Sequence, residues 1–497
     1  MSVPRVLRTF LAALASLPAI ASAQTPTFSR HDLQTGLQLT ERVLAGDFNG
    51  DGRPDLVVTS HSTVENYGIY LITGRGDGTF DPPALVLAPA FATSLGAADA
   101  NGDGVLDLVM LSGDHVWTLL GAGDGTFRGP ILSPPVLGAG PPLLMDVSGD
   151  GSVDLVIASH TDGVSVSLGH GDGTFGAPTL LPIGGRVARV RAGDADADGN
   201  VDLLAGNIGQ PDAFDGAVVT VLFGAGDGAF DRRHDVPVAP TPLSLAVLDV
   251  DGDGAIDIAA SSYAAPILSV ARGGGDGTFL PASDYPTAGA GTADTVVADF
   301  NGDGRPDIAI CGAADLLSIF TNADGTLAPR RDVPAASSCN SIAIADFDLD
   351  GRPDLALNYF AGSGTVSIFS NTTAADAQPP IVTAAADPAM LWPAHGRAVA
   401  VTVSGTITDD SDVDLSTLAF TVFDEYGLVQ PSGTFTIDEA GRYAFSVMLT
   451  AERRGDDRNG RTYTIAVGAA DRSGNEASAS LEVLVAHDRR GGAPPPD

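Results

Sequence analysis

A nine-residue block built on aspartate returns seven times along this 497-residue chain. It reads DFNGDGRPD from Asp47, DANGDGVLD from Asp99, DVSGDGSVD from Asp146, DADADGNVD from Asp194, DVDGDGAID from Asp249, DFNGDGRPD again from Asp299 and DFDLDGRPD from Asp346. Successive blocks start 52, 47, 48, 55, 50 and 47 residues apart. Self-similarity at such a period implies stacked units, each burying its apolar face against its neighbours. Every unit runs as an apolar stretch, the block, a second apolar stretch such as DLVVTS or DIAIC, a third such as VSVSLG, a glycine-rich turn and a fourth strand. Four short strands in about 50 residues is the pattern of a propeller blade, so the spacing predicts an all-β, seven-bladed β-propeller.

The glycine-rich turn is itself repeated: GRGDGTF at 74–80, GAGDGTF at 121–127, GHGDGTF at 169–175, GAGDGAF at 224–230, GGGDGTF at 273–279 and a degenerate TNADGTL at 321–327. Arg75-Gly76-Asp77 spells a tripeptide that cell-adhesion ligands present, yet its arginine occupies the position that varies among the copies, reading Arg, Ala, His, Ala, Gly and Asn. The stretch therefore reads as a hairpin turn with glycines at positive φ.

The spacing of the aspartate block carries chemistry. Oxygens at positions 1, 3 and 5 turn inward, the glycine at 6 allows a sharp bend, a carbonyl near 7 can join, and the aspartate at 9 closes a cage of hard ligands that suits Ca²⁺. The candidate ligands are Asp47, Asn49, Asp51 and Asp55; Asp99, Asn101, Asp103 and Asp107; Asp146, Ser148, Asp150 and Asp154; Asp194, Asp196, Asp198 and Asp202; Asp249, Asp251, Asp253 and Asp257; Asp299, Asn301, Asp303 and Asp307; and Asp346, Asp348, Asp350 and Asp354. This predicts up to seven Ca²⁺ sites, the third weakest because Ser148 stands at position 3. A turn alone needs one Asp or Asn, whereas these blocks hold 24 acids, which repel one another without counterions. Apolar residues at position 2 (Phe48, Val147, Val250, Phe300, Phe347) and position 8 (Leu106, Val153, Ile256) are expected to anchor the loops.

The charge balance narrows the partners. The formal net charge is −36, all 26 basic residues are arginine, and 55 of the 62 acids are aspartate, which excludes nucleic acid as a natural partner. Residues 1–23 have a basic start, an apolar run and a terminal Ala-Ser-Ala, the pattern of a secretory signal peptide cleaved near Ala23. No later stretch has the roughly 20 uninterrupted apolar residues of a membrane span. A secreted or periplasmic protein, acting as a monomer, is expected.

Aspartate loops followed by Gly-x-Gly-Asp-Gly-Thr-Phe resemble the FG-GAP/VCBS repeats of integrin α-subunit propellers and of many exported bacterial proteins. The resemblance spans residues 28–372 and implies calcium in the aspartate loops. From 379 onward, stretches such as GRYAFSVMLTAE and RTYTIAVGAADRSGNEASASLEVLVAHD alternate apolar and polar residues, resembling the immunoglobulin-like β-sandwiches appended to exported bacterial proteins. The expected organisation is a signal peptide at 1–23, a propeller at 24–374, a linker at 375–380, a sandwich at 381–487 and a disordered tail at 488–497.

No catalytic constellation is legible. The eight histidines lack metal-binding spacing, no Gly-x-Ser-x-Gly elbow occurs, and Trp117 and Trp392 are expected in cores rather than on a sugar-binding surface. The reading is an exported, calcium-binding, non-catalytic adhesion or ligand-binding module for a protein or polysaccharide at a cell surface or matrix. The alternative is an exported polysaccharide-active enzyme or lectin. Three further expectations concern geometry. The segment from Thr27 supplies the missing fourth strand of the last blade, closing the ring. Cys311 and Cys339 form a disulfide between neighbouring blades, with two buried thiols as the other possibility. The binding face lies opposite the aspartate loops, where the connections vary and where Arg186 and Arg189 form a basic spot that either meets an anionic ligand or is simply solvated.

Overall fold

In the computed structural model, the described residues are 25–486 except 38–39, 62–66, 89–91, 93, 137, 139, 160–162, 210–217, 324, 361–363, 375–377, 395, 410–412, 429–430, 439, 453, 455–459 and 472–473. The expected signal peptide, the tail from 488, much of three variable connections (62–66, 160–162, 210–217) and part of the expected linker lie outside them. Two compact units are present, one spanning Thr25–Ala374 and the other including the chain from Ala375. The described residues are all-β, with one short 3-10 turn at Leu415–Thr417, and none of their helices is long and apolar enough to cross a membrane.

Among the described residues, the first unit holds seven four-stranded antiparallel sheets, one per aspartate block. In the first sheet the strands are Thr40–Gly46, Asp55–His61, Tyr67–Ile72 and Ala84–Leu87, joined in sequence order. The aspartate at position 9 always opens the second strand and pairs with the last residue of the first, as in Gly46↔Asp55 and Gly193↔Asp202. The block is thus the connection of a hairpin. Second strands such as Asp154–Ala158 and Asp202–Asn207 are buried throughout, which explains their continuous Val/Leu/Ile/Ala character. Fourth strands such as Arg232–Pro237 are mostly exposed and polar.

The first strands of neighbouring sheets touch one another around the ring, Thr40–Gly46 meeting both Ser94–Ala98 and Cys339–Ala345, while the third sheet meets the first strand of the fourth, Val187–Gly193, through its second strand, Asp154–Ala158. Between the sheets lie seven apolar clusters, each shared by two neighbours. The cluster joining the last sheet to the first packs Phe347, Val366 and Ile368 against Val43, Leu56 and Val58. The last sheet takes its fourth strand from the other end of the chain: Phe28–Gln34 pairs antiparallel with Thr365–Asn371 over seven residue pairs. This is the ring closure expected from the sequence, and it gives the last sheet the same four strands as the other six. Cys311 and Cys339 come together with Sγ–Sγ 1.99 Å and Cα–Cα 5.6 Å. Cys339 is the first residue of its strand.

In the second unit, one sheet contains Ala398–Thr408 and Arg442–Thr450, and another contains Ala419–Asp424, Arg461–Ala470 and Glu476–Val485. Their alternating inner residues, among them Val401, Val403, Val447, Ile465, Val467 and Val483, form one core. Trp392 is 47% exposed, so it does not belong to that core as expected: it follows the short Met390–Leu391 strand, whose Leu391 is the residue turned inward. Trp117 is half-buried against the cluster shared by the first two sheets.

Candidate metal centres and the opposite face

Each aspartate loop is built the same way. The position-9 carboxylates, Asp55, Asp107, Asp154, Asp202, Asp257, Asp307 and Asp354, are fully buried. One oxygen of each accepts the N–H of the position-2 residue and the other accepts the N–H of the residue opening the glycine-rich turn, or its equivalent in the last two sheets, at 2.6–3.1 Å. These aspartates pin loop, strand and turn together. The position-2 residues they hold, from Phe48 to Phe347, are all buried. At position 1, a carboxylate oxygen accepts the N–H of the position-6 glycine at 2.8–2.9 Å in all seven loops. At position 5, Oδ1 accepts the N–H two residues on, at 2.7–3.0 Å.

Backbone dihedrals explain the glycines. Position 6 is left-handed in every loop, with φ between 79° and 87°. Position 4 is left-handed too, which the sequence reading missed, and there Ala197 (φ 56°) and Leu349 (φ 58°) occupy a conformation that glycine adopts in the other loops.

In loops four, five and seven, carboxylate oxygens of positions 1, 3 and 9 gather within 4.8 Å of one another: Asp194, Asp196 and Asp202; Asp249, Asp251 and Asp257; Asp346, Asp348 and Asp354. These acidic clusters could hold a metal ion. Loops one, two and six place Asn49, Asn101 and Asn301 at position 3, with the amide directed at the position-5 carboxylate, and loop three places Ser148 there. The position-5 aspartates Asp198, Asp253 and Asp350 stand outside the three clusters. The three loops with a fourth acid each engage an arginine unmarked by the sequence reading: Arg232 pairs with Asp196, Arg272 with Asp251 at 3.5 Å, and Arg352 with Asp350.

Two observations test whether a cation suits these loops. Oδ1 of Asp196 and Oδ1 of Asp348 are buried without a hydrogen-bond partner, each inside one of the three clusters. Burial also pushes the carboxyls of Asp55, Asp107 and Asp202 upward, Asp257 and Asp354 to about 6 and Asp307 to about 8, with neighbouring acids adding to the rise. Hard anionic oxygens crowded together, some lacking a donor, suit a divalent cation. Although position 9 already accepts two N–H groups, a carboxylate offers about four lone-pair sites, so it can serve strand and metal together.

The glycine-rich turns share this face. Gly78, Gly125, Gly173 and Gly277 each donate a backbone N–H to the position-2 carbonyl of the preceding repeat's aspartate loop at 3.0–3.2 Å. Side chains replace glycine in the last two sheets, where Asn322 Nδ2 donates to Val250 O at 2.7 Å and Asn371 Nδ2 to Phe300 O at 2.9 Å. The tripeptide at 75–77 is absorbed in such a turn: Arg75 pairs with Asp81, and one oxygen of Asp77 takes both the N–H and the hydroxyl of Thr79.

On the opposite face, Arg186 precedes Val187–Gly193 and exchanges backbone hydrogen bonds with Gly209 and Ile208. Arg189 is not the solvated loop residue considered above. It lies within that inner strand, is 6% exposed, and pairs with buried Asp294 at 3.1 Å.

The family model for FG-GAP-like repeats matches residues 47–110, 99–157, 146–205, 249–310 and 299–357, together more than half of the chain. The chain belongs to the FG-GAP-like repeat family. Its FG-GAP repeats build the β-propeller described above, the five matches together reaching all seven sheets. Among solved structures, the chain is similar to a lectin of Agrocybe aegerita that recognises non-reducing terminal N-acetylglucosamine, at 20% identity over 68% of this chain and 87% of that one, TM-score 0.47. It is also similar to BBS1N in a complex with ARL6DN, at 11% identity over 72% of this chain and 99% of that one, TM-score 0.48. No curated protein matches the chain.

Proposed function

We propose that the protein is an exported, seven-bladed FG-GAP-repeat propeller stiffened by Ca²⁺ and acting as a non-catalytic ligand-binding or adhesion module, with an immunoglobulin-like sandwich as its second domain and a disulfide between Cys311 and Cys339. The observation that carries the calcium reading is the pair of buried, partnerless oxygens of Asp196 and Asp348 among clustered carboxylates. Calcium would be held by the aspartates, and by Asn or Ser at position 3, in each loop, where it supplies positive charge that offsets their repulsion. It has no reactive role here. The metal-loop face is uniform from repeat to repeat, so discrimination between partners falls to the other face, whose connections differ. A protein or polysaccharide at a cell surface or matrix is the partner class.

Ca²⁺ bound only by the folded chain stabilises it by RT ln(1 + [L]/Kd) per site. Thermal melts in EDTA and in millimolar Ca²⁺ are expected to differ by many degrees. Coincident midpoints would defeat the calcium reading. Assaying glycans for new reducing or unsaturated ends alongside an array of immobilised glycans separates binding from turnover: retention without new ends is the expected result.

A further inference from the structure

At the centre of the face opposite the aspartate loops is a cavity of about 450 Å³. Its wall comes from residues near the starts of first strands and just after second strands in six of the seven sheets, including Arg42, Arg189, Leu243, Tyr263, Asn340 and Phe360. No single repeat encodes it. The volume lies in the range of small-molecule sites, about 300–1,000 Å³.

The charge inside is the reverse of the charge outside. The chain carries −36 overall, yet three guanidiniums, Arg42, Arg189 and Arg191, interact here with one another and with a single fully enclosed carboxylate, Asp294. Asp294 is already satisfied. Its Oδ1 takes Arg189 Nη2 at 3.1 Å, Ser244 Oγ at 3.4 Å and its neighbour's N–H, and its Oδ2 takes the N–H of Ile342 at 3.2 Å. The carboxylate of Glu41 adds attraction only at Arg42. Arg189, more than nine-tenths buried and on the cavity wall, keeps an Nε with no hydrogen-bond partner. Burial, followed by the repulsion of Arg189, pulls the guanidiniums of Arg42 and Arg191 down to about 10. A buried donor without an acceptor is costly unless an anion completes it, and the half-buried guanidiniums of Arg42 and Arg191 beside it leave positive charge in excess.

Two aromatic rings share the cavity with these arginines and remain largely open to solvent, Tyr263 at 55% and Phe360 at 60%. Guanidinium forks match planar carboxylates, and exposed aromatic rings beside them suit a ring-shaped ligand with an apolar face. The acidic body repels long polyanions, which favours a single negative charge entering end-on. Building on the ligand-binding reading above, we propose that this cavity captures the terminal uronate sugar of an oligosaccharide, its carboxylate on Arg42 and Arg189 and its ring beside Tyr263 and Phe360.

The test is calorimetric titration of the full calcium-loaded chain with disaccharides ending in glucuronate or galacturonate, with their methyl esters, and with inorganic phosphate. The uronates are expected to bind, and the esters at least about tenfold more weakly, as loss of a charge-assisted hydrogen bond implies. Arg42→Gln and Arg189→Gln should each weaken binding about tenfold or more, and Phe360→Ala several-fold. Arg189→Gln also strips a partner from Asp294 and can unfold the chain. Arg42→Gln, whose melt should match the parent, then carries the test. Equal binding of the esters, or full affinity in Arg42→Gln, overturns the proposal. Phosphate binding as tightly as the uronates overturns the sugar assignment. If the protein still binds glycans or cells through its variable loops while Arg42→Gln changes nothing, the ligand-binding reading stands and this cavity falls.

Discussion

Asp257 and its six equivalents are read from the sequence as metal ligands, and the structure gives each a second task as acceptor for two buried N–H groups. Asp257→Ala leaves the N–H groups of Val250 and Gly273 without an acceptor, at about 1–3 kcal/mol each. Chemical denaturation in EDTA should show a loss of about 2–5 kcal/mol, against less than about 1 for Asp253→Ala at exposed position 5. Equal losses would mean that position 9 acts only through metal. Three of these buried carboxyls set a pH dependence. Asp257 and Asp354 sit up at about 6 and Asp307 at about 8, above the unfolded value of about 4. For an acid whose folded pKa is raised, the stabilisation is complete below the unfolded pKa and disappears as pH rises through the folded one. The melting temperature of the chelated protein is therefore expected to fall between pH 4 and pH 8, and millimolar Ca²⁺, which holds the carboxylates ionised, should flatten that slope. A chelated protein that gains stability over this interval would contradict the assignment.

At the scale of the hairpin, the recurring block is a record of dihedral angles as much as of ligands. Two left-handed residues per loop, at positions 4 and 6, turn the chain back so that position 9 can begin the second strand. Ala197 at position 4 holds a conformation that costs an L-residue about 1–2 kcal/mol. Ala197→Gly should stabilise the chain by up to about 1 kcal/mol after the extra freedom glycine brings to the unfolded state. A destabilised variant in urea titration would show that the alanine methyl is packed rather than strained. This repetition is why so much was legible. Each loop solves one local problem with residues nine apart, and each strand keeps one register, so the seven sheets, the loop anchors and the closing strand are written in short-range pattern. The cavity with Arg42, Arg189 and Asp294 was not, because its wall draws one or a few residues from each of six repeats, and nothing local marks a residue as facing the axis. Trp392 misled for a related reason, since apolar character alone does not tell which side of a short strand faces inward.

Across the whole molecule, stability depends on an unbroken circle of clusters, each sheet being half of two cores. Removing residues 24–36 takes away Phe28–Gln34, uncovers the edge of Thr365–Asn371 and deletes Phe28 from its contact with Phe300. The truncated chain is expected to lose its cooperative melt and aggregate through that edge. A deletion that melts like the parent would refute closure by the N-terminal strand. That pairing also fixes an order of events. Phe28 emerges from the ribosome long before its partner Asn371, and at about 5–20 residues per second the interval is on the order of tens of seconds. Throughout that time the nascent chain is an open arc with one strand waiting, so the ring can lock only after almost the whole repeat region has been made.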